Sequence, residues 1–291
     1  MFSVIVPLYN KQDTIESCVK SVLNQEFVEF ELIIIDDGSV DRSSELIQDF
    51  HDARIRIIRK NNGGVSSARN CGIRHANFDW LVFLDADDYW FPNHLTMIYL
   101  AISNNTQFKF IATNCYYDNS KTVTPNQPLS QGSPIIDLNK FFWKSLRKSI
   151  ITSSTAAVHK SVFCSVGLFN EKSTHSEDLE MWITILERYK LYFVSSVTAT
   201  INFCIGNNSR NAVLVKRYSV IDYILSKNIT SLSSKVFLSV IAGKFILRVF
   251  RQNGIRFAYG QFKLLIKDLN IPTFSLLVIF LLYHSILSVF R

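Results

Sequence analysis

Residues 80–88 read WLVFLDADD: the apolar run Trp80–Leu84, then Asp85, Ala86, Asp87 and Asp88. A short apolar run closed by a polar turn predicts a strand buried on both faces. Two carboxylates one residue apart, Asp85 and Asp87, leave that strand on one loop. The same design recurs upstream. Phe2–Pro7 is a β-branched run followed by Tyr9 and Asn10, and Phe30–Ile35 stops at Asp36-Asp37-Gly38-Ser39. Apolar residues at Ile15, Val19, Val22 and Leu23 predict a helix over Asp13–Leu23, capped by Asp13 or Thr14. Helices over Asp41–Phe50 and Ser66–His75 and a strand over Ile55–Ile58 complete the pattern. Strands alternating with single helices predict βαβ units, a mainly parallel sheet and right-handed crossovers. Ligands of such sheets bind outside the carboxyl ends of the strands. The loops Pro7–Asn10, Asp36–Ser39 and Asp85–Asp88 are therefore expected to converge on one site.

Beyond residue 100 the pattern loosens. Tyr116–Pro134, rich in Asn, Ser, Gln, Pro and Thr, reads as a long surface loop. Ser149–His159 reads as a strand, and Glu177–Tyr189 as a helix with Leu179, Trp182, Ile183, Ile185 and Leu186 on its apolar face. The chain has 291 residues, 48% of them apolar, which excludes a disordered protein. Its net charge of +7 is uneven: residues 210–291 hold twelve Lys/Arg against Asp222 and Asp268, a net of +10. Within that tail Val236–Arg251 reads as an amphipathic helix with Lys244, Arg248 and Arg251 on one face. Thr273–Phe290 is an uncharged stretch at the lower edge of a membrane span, equally suited to lying in the interface. The expected division is residues 1–209, with 1–100 and 101–209 as two halves, and a helical tail over 210–291. Five dispersed cysteines without a CxxC pair read as free thiols of a reducing compartment. Pro7 and Asn10 interrupt the first apolar run, so it is not read as a signal peptide.

Carboxylates at a strand end offer hard oxygen ligands to Mg²⁺ or Mn²⁺. Asp36 and Asp37 can accept hydrogen bonds from a nucleobase and a ribose, and Tyr9 can stack on a base. Asn62-Gly63-Gly64 opens the helix that carries Arg69, and N–H groups at such a start can receive an anion. Arg69 can reach a ligand or brace Asp37.

Taken in order, Pro7-x-Tyr9-Asn10, Asp36-Asp37-Gly38-Ser39, Gly63-Gly64 with Ala68-Arg69-Asn70, and Asp85-Ala86-Asp87-Asp88 resemble the family 2 glycosyltransferases of GT-A fold. The resemblance covers residues 2–100 closely. It extends to about 205 through Glu177-Asp178, which is similar to the family's Glu-Asp motif. It implies an inverting transfer of a sugar from a UDP-sugar. Pro7, Tyr9, Asn10, Asp36, Asp37, Gly64, Arg69, Asp85 and Ala86 would line the donor site, with Tyr9 on the base and Asp85 on the ribose. Asp87 would hold the Mn²⁺ or Mg²⁺ with Asp85. Asp178, beside Glu177, would be the general base.

Single displacement needs one base on the acceptor side and no enzyme nucleophile, in line with the absence of a Gly-x-Ser-x-Gly elbow. The Gln-x-x-Arg-Trp motif of processive synthases is missing after Met181-Trp182, so one sugar per acceptor is expected. A nucleotidyltransferase would need a glycine-rich loop where Pro7–Lys11 stands, and a silent sugar-nucleotide-binding adaptor would not need every acid. The apolar tail argues against nucleic acid as partner. The expected setting is surface polysaccharide synthesis, O-antigen or capsule, on an undecaprenyl-diphosphate-linked acceptor. The enzyme would sit at the cytoplasmic face of the bacterial inner membrane, its tail on anionic lipid.

Overall fold

A computed structural model describes residues 1–118, 123–125, 133–146, 149–173, 176–202, 223–224, 226 and 231–242. The chain forms two compact units. The first joins Met1–Asp137, Ile150–Ser173 and Glu177–Gly206; the second joins Leu138–Ser149, Thr174–Ser176 and Asn207–Arg291. The two short segments of the second unit lie well inside the region that a linear division at residue 209 leaves with the first.

In the first unit, β1 (Phe2–Leu8), α1 (Ile15–Leu23), β2 (Phe30–Asp36), α2 (Ser43–Gln48), β3 (Ile55–Arg59), α3 (Val65–His75) and β4 (Trp80–Phe83) follow the expected alternation. β5 (Tyr89–Trp90), α4 (His94–Asn104), β6 (Phe110–Asp118), β7 (Val123–Pro125) and β8 (Ile135–Ile136) come next. After α5 (Leu138–Lys144), which belongs to the second unit, the first resumes with β9 (Ala156–His159), α6 (Lys160–Val166), α7 (Glu177–Leu186) and β10 (Leu191–Asn202).

The strands form one sheet in the order β3-β2-β1-β4-β9-β6-β10-β5, with β7 on β6 and β8 on β10. Pairing is parallel from β3 through β4, and again between β6 and β10. β9 is antiparallel to both β4 and β6, so the sheet is mixed and β6 keeps the direction of β4. Every residue of β1 and β2 is buried, because helices cover both faces. At Gly72 of α3, helix and sheet leave no room for a side chain: a Cβ there would lie 2.4 Å from Ile5 Cγ2 of β1.

Four elements differ from their sequence reading for visible reasons. Helix α2 is shorter than Asp41–Phe50, because the Asp41 carboxylate accepts hydrogen bonds from the backbone N–H groups of Gln12 and Ser43 and ties the loop down. The strand expected over Ser149–His159 starts only at Ala156. Ser153–Thr155 is a 3₁₀ turn closed by reciprocal bonds between Thr152 and Thr155. Tyr116–Asp118 belongs to β6, not to a loop, and β7 pairs back on it. Helix α7 ends at Leu186 rather than Tyr189. Cys18, Cys71 and Cys115 are buried free thiols and Cys164 is exposed.

In the second unit, Phe141 and Phe142 of α5 pack on Phe237, with ring centroids 6.2 and 5.0 Å away. Phe237 lies in a helix over 232–242. Lys244, Arg248, Arg251 and Thr273–Phe290 lie outside the described residues, as do His175 and Cys204. Among the described residues no helix is long and apolar enough to cross a membrane.

Candidate active site

The carboxyl ends of β2, β1 and β4 lie side by side, which brings the three acidic or polar loops together as expected. β6 and β10 end at the same edge, where the Asn202 N–H donates to Asp88 Oδ1 at 2.8 Å.

The first loop turns at Asn10, whose φ of 50° is left-handed, a conformation asparagine tolerates better than most side chains. Asn10 is a latch to the second loop. Its N–H donates to Ser39 Oγ at 3.2 Å, and its Oδ1 accepts from the Val40 N–H at 2.9 Å. Pro7 is buried, while the Tyr9 ring stands 45% exposed beside the latch, open to a stacking partner.

The second loop uses its own carboxylates. Asp36, buried, accepts from the Ser39 N–H and from Ser44 Oγ. Asp37, also buried, accepts from Lys60 Nζ at 2.5 Å, from the Gly63 N–H at 3.1 Å and from the Gly64 N–H at 2.8 Å. The anion received by the start of α3 is therefore Asp37 itself. Gly64 has φ 85°, which only glycine adopts without strain, and it turns its N–H onto that carboxylate.

Arg69 does not brace Asp37. Its guanidinium is buried and bridges two acids: Nη2 donates to Asp85 Oδ1 at 2.7 Å and Nη1 to Glu177 Oε1 at 2.9 Å. The Asp85 loop and helix α7 are thus tied through one cation. Arg69 Nε is buried with no hydrogen-bond partner among the described residues. Asp178 follows Glu177. Partial burial and the neighbouring Glu177 charge push its pKa up to about 7, against the pull of Arg69. A carboxyl poised there exchanges protons near neutrality. Ser176, just before, has φ 60°.

In the third loop, Asp85–Asp88, Asp87 is ion-paired with Lys11 Nζ at 2.6 Å, both side chains being mostly buried. Ala86 is buried between the two acids. Asp88, although adjacent, is a structural acid: buried, it accepts from Ser154 Oγ at 2.5 Å, and Ser154 Oγ accepts from the Asp85 N–H. Lys11, Lys60 and Ser154 are the residues that sequence reasoning passed over. Each is far in the chain from its carboxylate partner, and only the lysines' charge hinted at a role.

Asp85 and Asp87 are hard-oxygen donors on one turn. Among the described residues no group of three or more His, Cys, Asp or Glu side chains is arranged to hold a metal. Two carboxylates without a cage are the donor set of an ion shared with phosphate oxygens, the usual habit of Mg²⁺ in nucleotide sites. The residues present fit such an ion once a diphosphate is bound.

A sequence profile of glycosyl transferase family 2 matches residues 3–167. WfgD of Escherichia coli, a UDP-Glc:α-D-GlcNAc-diphosphoundecaprenol β-1,3-glucosyltransferase, is 30% identical over 192 residues, which cover 64% of this chain and 70% of WfgD. Several other curated relatives are longer, and the chain spans only 20–61% of their length. Among solved structures, TarS 1–349 of S. aureus in complex with UDP-GlcNAc superposes with a TM-score of 0.67 at 18% identity, over 86% of this chain and 74% of that one. The mannosyltransferase PcManGT of Pyrobaculum calidifontis, in complex with GDP-Man and Mn²⁺, gives 0.57 at 15%, over 98% and 86%. These likenesses establish a GT-A-like fold, a largely parallel sheet flanked by helices. With the profile spanning more than half its length, the chain belongs to glycosyl transferase family 2.

Proposed function

We propose that the chain transfers one sugar from a UDP-sugar to a hydroxyl of a lipid-diphosphate-linked saccharide, with inversion at the anomeric carbon. The observation that carries this reading is the Asp85–Arg69–Glu177 bridge. It couples the Asp85 loop to the start of α7, which supports a base at Asp178 acting on a sugar held by that loop. In the reaction, Asp178 takes the proton of the acceptor hydroxyl, whose oxygen forms the new bond to the anomeric carbon. The bond from that carbon to the diphosphate oxygen breaks, and UDP leaves with the electron pair. One base and one leaving group suffice for a single displacement.

Tyr9 stacks on the uracil, and the polar atoms of the Asp36-Asp37 loop meet base and ribose. Because the Asp37 oxygens already hold Lys60, Gly63 and Gly64, that residue acts as a clamp on the loop as well as an acceptor. Pro7, Asn10, Gly64 and Ala86 shape the backbone around the nucleotide. Asp87, with Asp85, would hold Mn²⁺ or Mg²⁺, which when bound neutralises charge on the departing diphosphate. PcManGT in its complex with Mn²⁺ supports this reading, as TarS with UDP-GlcNAc supports the donor class and WfgD the diphosphoundecaprenol-linked acceptor. The pathway is surface polysaccharide assembly on the cytoplasmic side of the membrane, with the basic 210–291 tail on anionic lipid.

The test is nucleotide release from UDP-Glc, UDP-Gal, UDP-GlcNAc, UDP-GalNAc and GDP-Man. It is run with and without Mn²⁺ and a GlcNAc-diphospholipid acceptor. Metal-dependent release from one UDP-sugar, lost in Asp87→Ala with the fold intact, is the expected result. Full activity in that variant would overturn the assignment.

A further inference from the structure

The second unit is built with a charge opposite to the first. Leu138–Ser149, Thr174–Ser176 and Asn207–Arg291 contain sixteen Lys/Arg against two Asp, a net of +14; the first unit holds fifteen against twenty-two, a net of −7. The segment Leu138–Ser149 alone carries Lys140, Lys144, Arg147 and Lys148 and no acid. It enters this unit from the middle of the chain.

Its helix α5 presents three consecutive aromatics to different surroundings. Phe141 and Phe142 are fully buried on Phe237, whereas Trp143 is 47% exposed. Asn139, one turn before Trp143 on the same face, accepts a hydrogen bond from Ser233 Oγ at 2.7 Å. Ser233 follows Leu232, which is 65% exposed. Trp143 and Leu232 are thus two large apolar side chains left in solvent around one hydrogen-bonded junction. Lys144 follows Trp143 directly and Lys235 stands three residues after Leu232, each partly exposed. A core has no use for a half-exposed tryptophan beside two buried phenylalanines. At a lipid headgroup boundary that residue type is favoured, because its ring is apolar and its N–H reaches water.

We infer that α5, displaying Trp143 with Leu232 amid the +14 unit, is a lipid-contacting element that inserts at the headgroup boundary of an anionic bilayer. The inference deepens the membrane reading of the tail and rests on it for the nature of the surface. The unit's net charge attracts, and the apolar pair anchors. Each Lys or Arg near such a surface is worth about fivefold in affinity, and burying a tryptophan about tenfold or more.

The experiment uses the full chain with phosphatidylglycerol–phosphatidylcholine vesicles carrying bromines on their acyl chains, which quench tryptophan on contact. Trp90 and Trp182 are buried and serve as internal unquenched signals. The wild type is expected to bind and to show quenching that disappears in Trp143→Phe. Trp143→Ala should weaken vesicle binding about tenfold with unchanged circular dichroism, and Lys144→Gln about fivefold. Binding that persists with no quenching of Trp143 would overturn the inference while leaving the tail's membrane contact standing. No binding to anionic vesicles at all would overturn both. Tighter capture by RNA than by vesicles, competed by salt, would replace the lipid with a nucleic acid and overturn the inference as well.

Discussion

Replacing Arg69 by Met keeps the volume of the side chain and removes the cation between Asp85 and Glu177. Arg69 is 2% exposed and makes charge-assisted bonds of 2.7 and 2.9 Å. Breaking a buried ion pair by removing one partner costs about 3–5 kcal/mol. Here the partners are not equally dry: the Glu177 side chain is 15% exposed but that of Asp85 is 33%, so water recovers part of the Asp85 charge. That discount brings the expected loss to about 2–3 kcal/mol. For a folded unit of this size it lowers Tm by about 4–12 °C. Urea unfolding at constant m measures it. The sharper assay is a double-mutant cycle. In the Arg69→Met background, Glu177→Gln removes one of two uncompensated acids, so the second change should cost less than it does alone, with a coupling of about 1–2 kcal/mol. A loss below about 0.5 kcal/mol, or zero coupling, would refute the view of Arg69 as the brace between the Asp85 loop and α7.

Asp178, with its pKa raised to about 7 by partial burial and by Glu177, should give kcat/KM an acid limb near pH 7, activity rising as the carboxyl loses its proton. Asp178→Asn should lose about 10²–10⁴-fold and the limb with it. The same shift has the opposite sign for stability: the folded state holds this proton more tightly than the unfolded chain, so the contribution is present below about pH 4 and lost as pH rises towards 7. This is measurable by urea titration of the wild type against Asp178→Asn. Lys11→Met removes the cation 2.6 Å from Asp87 and should tighten Mn²⁺ binding in the absence of nucleotide, read by electron paramagnetic resonance of free Mn²⁺; weaker binding would mean that Lys11 positions Asp87 rather than competing for it. Gly72→Ala places a methyl 2.4 Å from Ile5 Cγ2 and should cost about 1–3 kcal/mol by overpacking, seen in the same unfolding assay.

Sheet and loops were legible where burial leaves a continuous apolar run. Phe2–Leu8 and Phe30–Asp36 are covered on both faces, so their hydrophobicity has no period to misread, and each run ends where a polar loop begins. β10 gave no such signal. Its register shifts between Val194 and Val197 and again before Ala199, and a bulged strand with Ser195, Ser196, Thr198 and Thr200 alternates with neither face. β9 was half legible because the run that holds it starts in a 3₁₀ turn.

The candidate site was legible as a set of positions and not as a set of partnerships. Asp85 and Asp87 are two residues apart and share a turn, yet one is bound to Arg69 and the other to Lys11, 16 and 76 positions away. Asp36 and Asp37, neighbours again, divide between Ser39 with Ser44 and the Lys60–Gly64 loop. Adjacent carboxylates repel, and at a crowded strand edge the repulsion is relieved by giving each a different donor from a different loop. An acidic motif therefore specifies where charge gathers, while the fold decides which acids remain available. Three of the five acids Asp36, Asp37, Asp85, Asp87 and Asp88 are buried, and two of these, Asp36 and Asp88, are held by hydrogen bonds from serine hydroxyls and backbone N–H groups, with Arg59 Nε a longer 3.6 Å from Asp36, a structural use. Asp85 and Asp87 are instead the two partly exposed acids, each paired with a side-chain cation. For the proposed diphosphate and metal ion, those are the two carboxylates placed to exchange a protein partner for a ligand.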